Sequence, residues 1–310
     1  MVVSKKAVQS GDESSKGPVP FLKWAGGKRK LAPLIISAFP NNFDPQVNKF
    51  YEPFLGGGAL TFALGNKKSE VFIPGKNVYI SDMNPDLINA YKIVRDEIDA
   101  LILELKKFEK LNDPDSFYKI RASRYDNVVK NAARFIYLNK TCFNGLWRVN
   151  SRGDFNVPFG RYKNPNILDR DNLLLCHKRL QGAKIKLGSF TDIAVKASKG
   201  DLVYFDPPYI PLSKTAAFSQ YAKENFGIDD QESLKKTIDN LTKKGVRVIL
   251  SNSDTQLTRE IFGNALTLRQ ISMARTISAT ASTRKAVFEV IGTNFTIPKS
   301  SPLSNLKIVK

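Results

Sequence analysis

Leu202-Val203-Tyr204-Phe205-Asp206-Pro207-Pro208-Tyr209 is the stretch from which the rest of the chain can be read. The apolar run after Gly200-Asp201 has the length and flanks of a fully buried strand. Two consecutive prolines cannot continue a sheet ladder, so the strand must stop at Asp206. That leaves the Asp206 carboxylate and Tyr209 at its carboxyl edge. In open α/β sheets ligands bind at that edge. A proline turn whose aspartate caps a backbone amide has the same residues, so the motif needs company before it carries chemistry.

Its company is Phe21-Leu22-Lys23-Trp24-Ala25-Gly26-Gly27-Lys28, then Glu52-Pro53-Phe54-Leu55-Gly56-Gly57-Gly58, then Ser81-Asp82-Met83-Asn84. A helix is expected from Lys28, with Leu31, Leu34, Ile35 and Phe39 on one face and Pro40 as its stop. Trp24 and Lys28 then lie on its entry loop and first turn, where an amino end favours anions. A Trp core anchor beside a solvated lysine is the plainer reading. Asn48 to Glu52 reads as the first strand, and Gly56-Gly57-Gly58 opens a helix carrying Ala59, Leu60, Phe62 and Ala63. Glycines there let backbone approach a ligand without Cβ interference. Asn77 to Ser81 reads as the second strand, ending in Asp82. An acid about 20 residues beyond a Gly-rich turn can accept both hydroxyls of a ribose. A helix cap is the other reading of Asp82, but Asn84-Pro85 fills that role and frees Asp82 for the ribose.

In this order the motifs resemble the Dam-type DNA adenine methyltransferases, the D12 class and α group of N6-adenine-specific enzymes. The resemblance runs from about Phe21 to about Asn294. It implies an α/β fold: a Rossmann-like S-adenosylmethionine-dependent methyltransferase sheet with an inserted helical and β-hairpin DNA target-recognition domain. The expected division is a disordered leader over 1–19, a catalytic donor-binding domain over 20–109 and 185–295, the recognition domain over 110–184, and a basic tail over 296–310. By resemblance Trp24, Lys28, Phe54, Gly56, Gly58, Asp82, Ser189, Phe190 and Asp206 hold S-adenosylmethionine, while Lys23 faces DNA. Asp206, Pro207 and Tyr209 would do the chemistry, and no metal is implied. For Ser189 and Phe190 the residues alone suit a strand-end turn equally well.

Between Lys110 and Lys184 the texture changes. Phe117, Tyr118, Ile120 and Tyr125 suggest a short helix, and Asn131 to Thr141 another. Asn144 to Lys163 then reads as a β-hairpin turned at Ser151-Arg152-Gly153. Arginines interleaved with aromatics on a ribbon suit major-groove reading and intercalation, though an exposed hairpin with a solvated basic face has the same pattern. By resemblance Leu146 and Arg148 read bases, and Phe143 with Asn144 wedges into the stack. Pro158, Arg161 and Tyr162 match further positions of that reader. The family's pattern has a tyrosine where this chain has Phe143, which keeps the ring and loses the hydroxyl. These matches favour GATC as the site.

Elsewhere Pro85 to about Phe108 reads as one amphipathic helix, Leu173 to Leu180 as another, and Lys184 to Leu187 as a strand returning to the sheet. Ser213 to Phe226 lacks periodicity and reads as a mobile loop near the substrate, or as a surface linker. Gln231 to Lys244 forms a helix closed by Gly245, and three strands follow: Val246 to Ser251, Leu266 to Ile271 and Lys285 to Ile291. Arg275, Thr276, Ser278, Thr283 and Arg284 suit phosphate contacts or a solvated loop alike.

Composition narrows the class. The chain has 310 residues and a net charge of +19, from 48 Lys+Arg against 29 Asp+Glu, which argues for a polyanionic partner. No apolar run reaches the roughly 18 residues of a membrane helix, and Cys142 and Cys176 lack metal-like spacing, so a reducing cytoplasm is expected. The single histidine, His177, nearly excludes a His-based metal site or a Ser-His triad. Double-stranded DNA is the expected partner of a monomer, with a cognate restriction endonuclease left open. Methylation of RNA adenine or of a protein amide by the same fold is the alternative enzyme reading. The basic hairpin argues against protein, and Asp rather than Asn before Pro-Pro-Tyr favours adenine. A regulator that kept the scaffold and lost the chemistry would not need Asp206, Tyr209, Asp82 and the glycine turn together.

Overall fold

Eight strands join in one sheet in the order β3-β2-β1-β4-β5-β7-β6-β8. They are β1 (Phe50–Glu52), β2 (Val78–Asp82), β3 (Lys184–Leu187), β4 (Leu202–Phe205), β5 (Arg247–Ser253), β6 (Thr267–Met273), β7 (Val287–Thr293) and β8 (Ile308–Val309). The computed structural model describes residues 17–64, 73–194, 196–210, 226–273 and 287–310. The expected leader up to residue 16, the loop from Ser213 as far as residue 225, and Arg275, Thr276, Ser278, Thr283 and Arg284 lie outside the described residues.

Strands β3 to β5 run parallel to β1 and β2, and β7, β6 and β8 complete the sheet antiparallel. The chain leaves β1 outward through β2 to β3, then returns to place β4 on the other side of β1. The order therefore reverses between β1 and β4, and a crevice outside their carboxyl ends follows from that reversal. Strand β4 is buried throughout, as its unbroken apolar run required. Leu202 and Tyr204 enter the apolar cluster on one face, Val203 and Phe205 that on the other.

The first face is covered by α1 (Ala32–Ser37), α2 (Ala59–Ala63), α3 (Pro85–Asp96), α4 (Ile98–Phe108), α5 (Pro114–Ala122), α6 (Val128–Thr141) and α7 (Arg170–Leu180). The second face carries α8 (Phe190–Ala194), α9 (Ile228–Lys243) and α10 (Gln256–Phe262). Helices α6 and α7 pack on α3, and a single apolar cluster runs through them and the sheet. The segment 110–184 thus shares the core of the sheet unit.

Several expectations need correction. The helix expected from Lys28 starts at Ala32, because residues 25–31 are spent on turns and the Lys28 side chain folds inward. The single helix expected over Pro85 to Phe108 breaks at Glu97, with φ −131° and ψ 42°. Its apolar stripe steps from Val94 to Ile98 at ordinary helical spacing, so periodicity hides the break. The tail over 296–310 is packed: Ile297, Leu303 and Val309 are buried, and β8 pairs with β6. Ile297 is in irregular chain, Leu303 in a short turn and Val309 in a two-residue strand, all too brief for a period to register. At the other end, the Val19 amide and carbonyl bond the Asn172 side chain, so the leader's last residue is anchored.

Candidate active site

The bend after β4 stands at the β1/β4 crevice. Lys28 Nζ reaches into it from the loop before α1, 3.2 Å from Asp206 Oδ1 and 4.5 Å from the centroid of the Tyr209 ring. The same ammonium donates to the Gly26 carbonyl at 2.5 Å. Asp206 Oδ1 is buried and, apart from that ion pair, receives no aligned hydrogen bond. Burial pushes the Asp206 carboxyl up to about 6, against the opposing pull of Lys28. It is therefore mostly ionised at neutral pH. Tyr209 Oη donates to Glu289 Oε2 at 2.9 Å.

The bend is held from behind by buried polar groups of the sheet and of α9. Gln231 on α9 donates to the Pro208 carbonyl at 3.0 Å, and Asn252 Oδ1 on β5 accepts from the Ile210 amide at 3.1 Å. Ser253 Oγ donates to the Ile210 carbonyl. Among the described residues no donor bonds the Pro207 carbonyl. A rigid turn thus presents two acceptors, the Asp206 carboxylate and the Pro207 carbonyl, beside an aromatic ring.

The glycine turn follows β1. Gly56 (φ 46°) and Gly58 (φ 66°) occupy the left-handed region. A Cβ at Gly56 would meet the Trp24 indole at 2.7 Å, and one at Gly58 would meet Tyr91 Oη at 2.6 Å. Glycine is needed here by neighbours of the same chain, whatever else approaches. Asp82 ends β2; its Oδ2 accepts from the Gly56 amide and its Oδ1 from the Asn84 amide, both at 3.0 Å. Asn84 does cap α3, accepting from the Leu87 amide at 3.1 Å. Asp82 is less free than expected, since each oxygen already has one partner. Below the turn Glu52 is buried, with Oε2 accepting from the amide and hydroxyl of Thr61. Burial raises its carboxyl to about 8.

Phe54, Phe190 and Ser189 lie together on the far side of the turn. Phe54 stacks on Phe190 with centroids 5.4 Å apart, and Phe226 packs edge-on against both. Ser189 Oγ accepts from the Thr191 amide at the entry to α8.

Lys23, beside Trp24, joins this centre to the segment expected to read DNA. Asn139 of α6 is fully buried and bonds the Lys23 amide and carbonyl, at 2.8 and 2.7 Å, and also the Gly145 carbonyl at 3.2 Å. Lys23 Nζ sits 3.9 Å over the Tyr162 ring. Phe143, Asn144, Leu146, Arg148, Pro158 and Arg161 are all exposed on this side. The expected hairpin turns where foreseen, but two isolated bridges, Cys142–Phe159 and Val149–Phe155, hold it in place of continuous strands. Asn144 and Arg161, each at φ 53°, cannot continue a ladder. Arg148 Nε donates to Asn156 at 2.8 Å. Trp147 packs between Phe135 of α6 and Phe155, at 4.2 and 4.4 Å, and fastens the ribbon to the core.

The structure therefore gathers Trp24, Lys28, Phe54, Gly56, Gly58, Asp82, Ser189, Phe190 and Asp206–Tyr209 around one crevice, and Lys23 with the ribbon residues beside it. Sequence reasoning missed Glu52, Asn139, Gln231, Asn252 and Glu289. Their signal was a polar residue inside an otherwise apolar strand or helix face, visible for Glu52 and Glu289 but silent about partners.

The model of the D12 class N6 adenine-specific DNA methyltransferases matches residues 24–277. The Type II methyltransferase M1.LlaDCHI of Lactococcus lactis is 40% identical over 284 residues, covering 89% of this chain and 95% of that protein. M.MjaIII, a Type II methyltransferase of Methanocaldococcus jannaschii, is 40% identical over 293 residues, covering 89% and 99%. The DNA adenine methylase of Haemophilus influenzae is 36% identical over 278 residues, covering 88% and 92%.

Proposed function

The chain belongs to the D12 class N6 adenine-specific DNA methyltransferases, and on that premise we propose that it methylates the adenine of GATC in duplex DNA, after turning that base out of the helix. The observation that carries this reading is the bend Asp206–Tyr209, held at the β1/β4 crevice with a mostly ionised carboxylate, a carbonyl without a donor among the described residues, and a ring side by side.

S-adenosylmethionine, the donor this family implies, supplies a methyl group on a sulfonium sulfur that leaves as a neutral thioether. The residues fit such a donor: a buried Asp206 oxygen lacks an aligned hydrogen bond, and half-exposed Trp24 and Asp82 flank the glycine turn. Trp24, Lys28, Phe54, Gly56, Gly58, Asp82, Ser189, Phe190 and Asp206 would hold it. The demand on the protein lies with the nucleophile. Adenine's exocyclic amine delocalises its lone pair into the ring. Asp206 and the Pro207 carbonyl accept its two hydrogens and favour a pyramidal nitrogen that can attack. Because the turn is fixed before substrate arrives, no reorganisation is needed in the reaction. Tyr209 offers its face to the extruded base, and stacking worth about 1–3 kcal/mol offsets part of the few kcal/mol that unpairing costs.

Specificity would come from the ribbon and Lys23. Arg148 and Leu146 read base edges, Phe143 and Asn144 fill the opened stack, and Lys23, Pro158, Arg161 and Tyr162 complete the contact. The GATC assignment rests on the likeness of these residues to Dam-type readers.

The test uses labelled donor with duplexes carrying GATC or single-base variants of it. Label on the adenine of GATC, at least tenfold above any variant duplex, is expected. Asp206→Ala should bind the GATC duplex as wild type does and transfer no label. Near-wild-type turnover in that variant excludes the mechanism, and equal labelling of all duplexes excludes the site.

A further inference from the structure

The chemistry above uses the face of Tyr209 and leaves its hydroxyl unemployed. That hydroxyl is nonetheless tethered to Glu289 Oε2 at 2.9 Å, by a residue 80 positions away. Glu289 lies in β7, paired with Ser253 at the carboxyl end of β5 and with Ile271 of β6. It therefore reaches the crevice from the antiparallel side of the sheet. Among the described residues no cation pairs with it. Its negative charge raises the Asp206 carboxyl, against the ionised state that the acceptor role needs. A second acid so close to the first is a cost unless it does something else.

We propose that Glu289 is a positioning residue that aims Tyr209. A phenol hydroxyl lies on the axis about which the ring flips, so a bond to it fixes where that axis points and leaves the flip free. Lys28, 4.5 Å over the ring, fixes the remaining freedom by holding one face. Together the two contacts set the plane against which a base can stack. The inference rests on the reading that Tyr209 is the platform for the extruded adenine.

The groups facing Asp206 are Lys28 from the loop before α1, Glu52 from β1, Tyr204 from β4, Tyr209 from the bend and Glu289 from β7. Of these, replacing Glu289 by glutamine removes one negative charge and keeps an acceptor for the hydroxyl.

Turnover of wild type, Glu289→Ala, Glu289→Gln, Tyr209→Phe and the double variant Glu289→Ala/Tyr209→Phe is compared on an adenine-containing GATC duplex. Base extrusion is compared on the same duplex with 2-aminopurine, which cannot accept the methyl group, at the target position. Glu289→Ala and Tyr209→Phe are each expected to lower kcat about tenfold, the weight of one hydrogen bond to a charged acceptor. Both should alter the fluorescence of the extruded base and leave KM for DNA within about twofold. The double variant should be no worse than either single one. Glu289→Gln should recover most of the kcat lost in Glu289→Ala. It should also move the acid limb of kcat/KM to lower pH, because Asp206 then loses a neighbouring negative charge. Additive losses in the double variant, or no recovery with glutamine, overturn the proposal. A wild-type enzyme that gives no fluorescence change at the target position overturns the platform reading itself, which separates the two failures.

Discussion

At the scale of single residues, Glu52 is a buried acid held far above the ordinary carboxyl range. It is enclosed below the glycine turn, and the Thr61 amide and hydroxyl are the donors that satisfy it, with Arg179 acting from a distance. Burial lifts its carboxyl from 4.5 to about 8, so in the folded protein it is mostly protonated at neutral pH. A folded value raised above the unfolded one gives stability that is complete below about 4.5 and is lost as pH rises towards 8. The loss over that window is on the order of 3–5 kcal/mol. Glu52→Gln removes the titration and keeps a neutral group of the same shape. The melting temperature of Glu52→Gln relative to wild type should therefore climb from about pH 5 to pH 8. A constant difference across that range would show that Glu52 does not titrate within it. The sequence made the neighbouring acids legible because each ends a strand, Asp82 before a capped helix and Asp206 before two prolines. Glu52 also ends a strand, and its motif was seen. What could not be seen was that Thr61 and Arg179 close over it, since that depends on packing between distant segments.

At the scale of elements, the ribbon over residues 144–163 is held to the helix beneath it by the Trp147–Phe135 contact and by the Asn139 side chain. Asn139 satisfies the backbone of Lys23 on one side and the Gly145 carbonyl on the other. A Cβ at Gly145 would meet Lys23 Cβ at 2.5 Å, so the two segments touch there without room for more. Asn139→Ala would strand these buried backbone groups, at about 1–3 kcal/mol for such a loss. It should lower the melting temperature and weaken DNA binding severalfold, while donor affinity, measured by titration without DNA, changes less. Equal losses in both affinities would mean that the clip supports the whole centre and not the ribbon in particular. Elements with a strong period or a clear stop were legible: β4, the α3 cap at Asn84 and the turn near Gly153 all stand where the residues put them. The ribbon's missing ladder was not, because left-handed backbone at Asn144 and Arg161 is imposed by tertiary contacts that no alternation of residue types records.

At the scale of the molecule, the segment Phe21–Lys28 is neither helix nor strand, yet it faces the β1/β4 crevice through Trp24 and Lys28 and the ribbon through Lys23. Its placement comes from outside. Val19 is bound by Asn172 of α7, Lys23 by Asn139 of α6, and α1, which follows directly, is braced by the end of the chain. That brace consists of the Ser37–Ser301 hydroxyl contact at 2.8 Å and the turn Pro302–Asn305, with Leu303 wholly buried. The last residues are therefore packed against α1, although their lysines suit a phosphate contact. Leu303→Ala should cost about 2–5 kcal/mol of stability, as cavity-forming core truncations do. Because α1 continues from the Lys28 loop, it should also weaken donor binding, read by titration well below the melting transition. DNA affinity under the same conditions should stay unchanged at both low and moderate salt. If the variant instead lost DNA affinity, and lost more of it at low salt, the tail would be a phosphate contact after all and not the brace that its burial indicates.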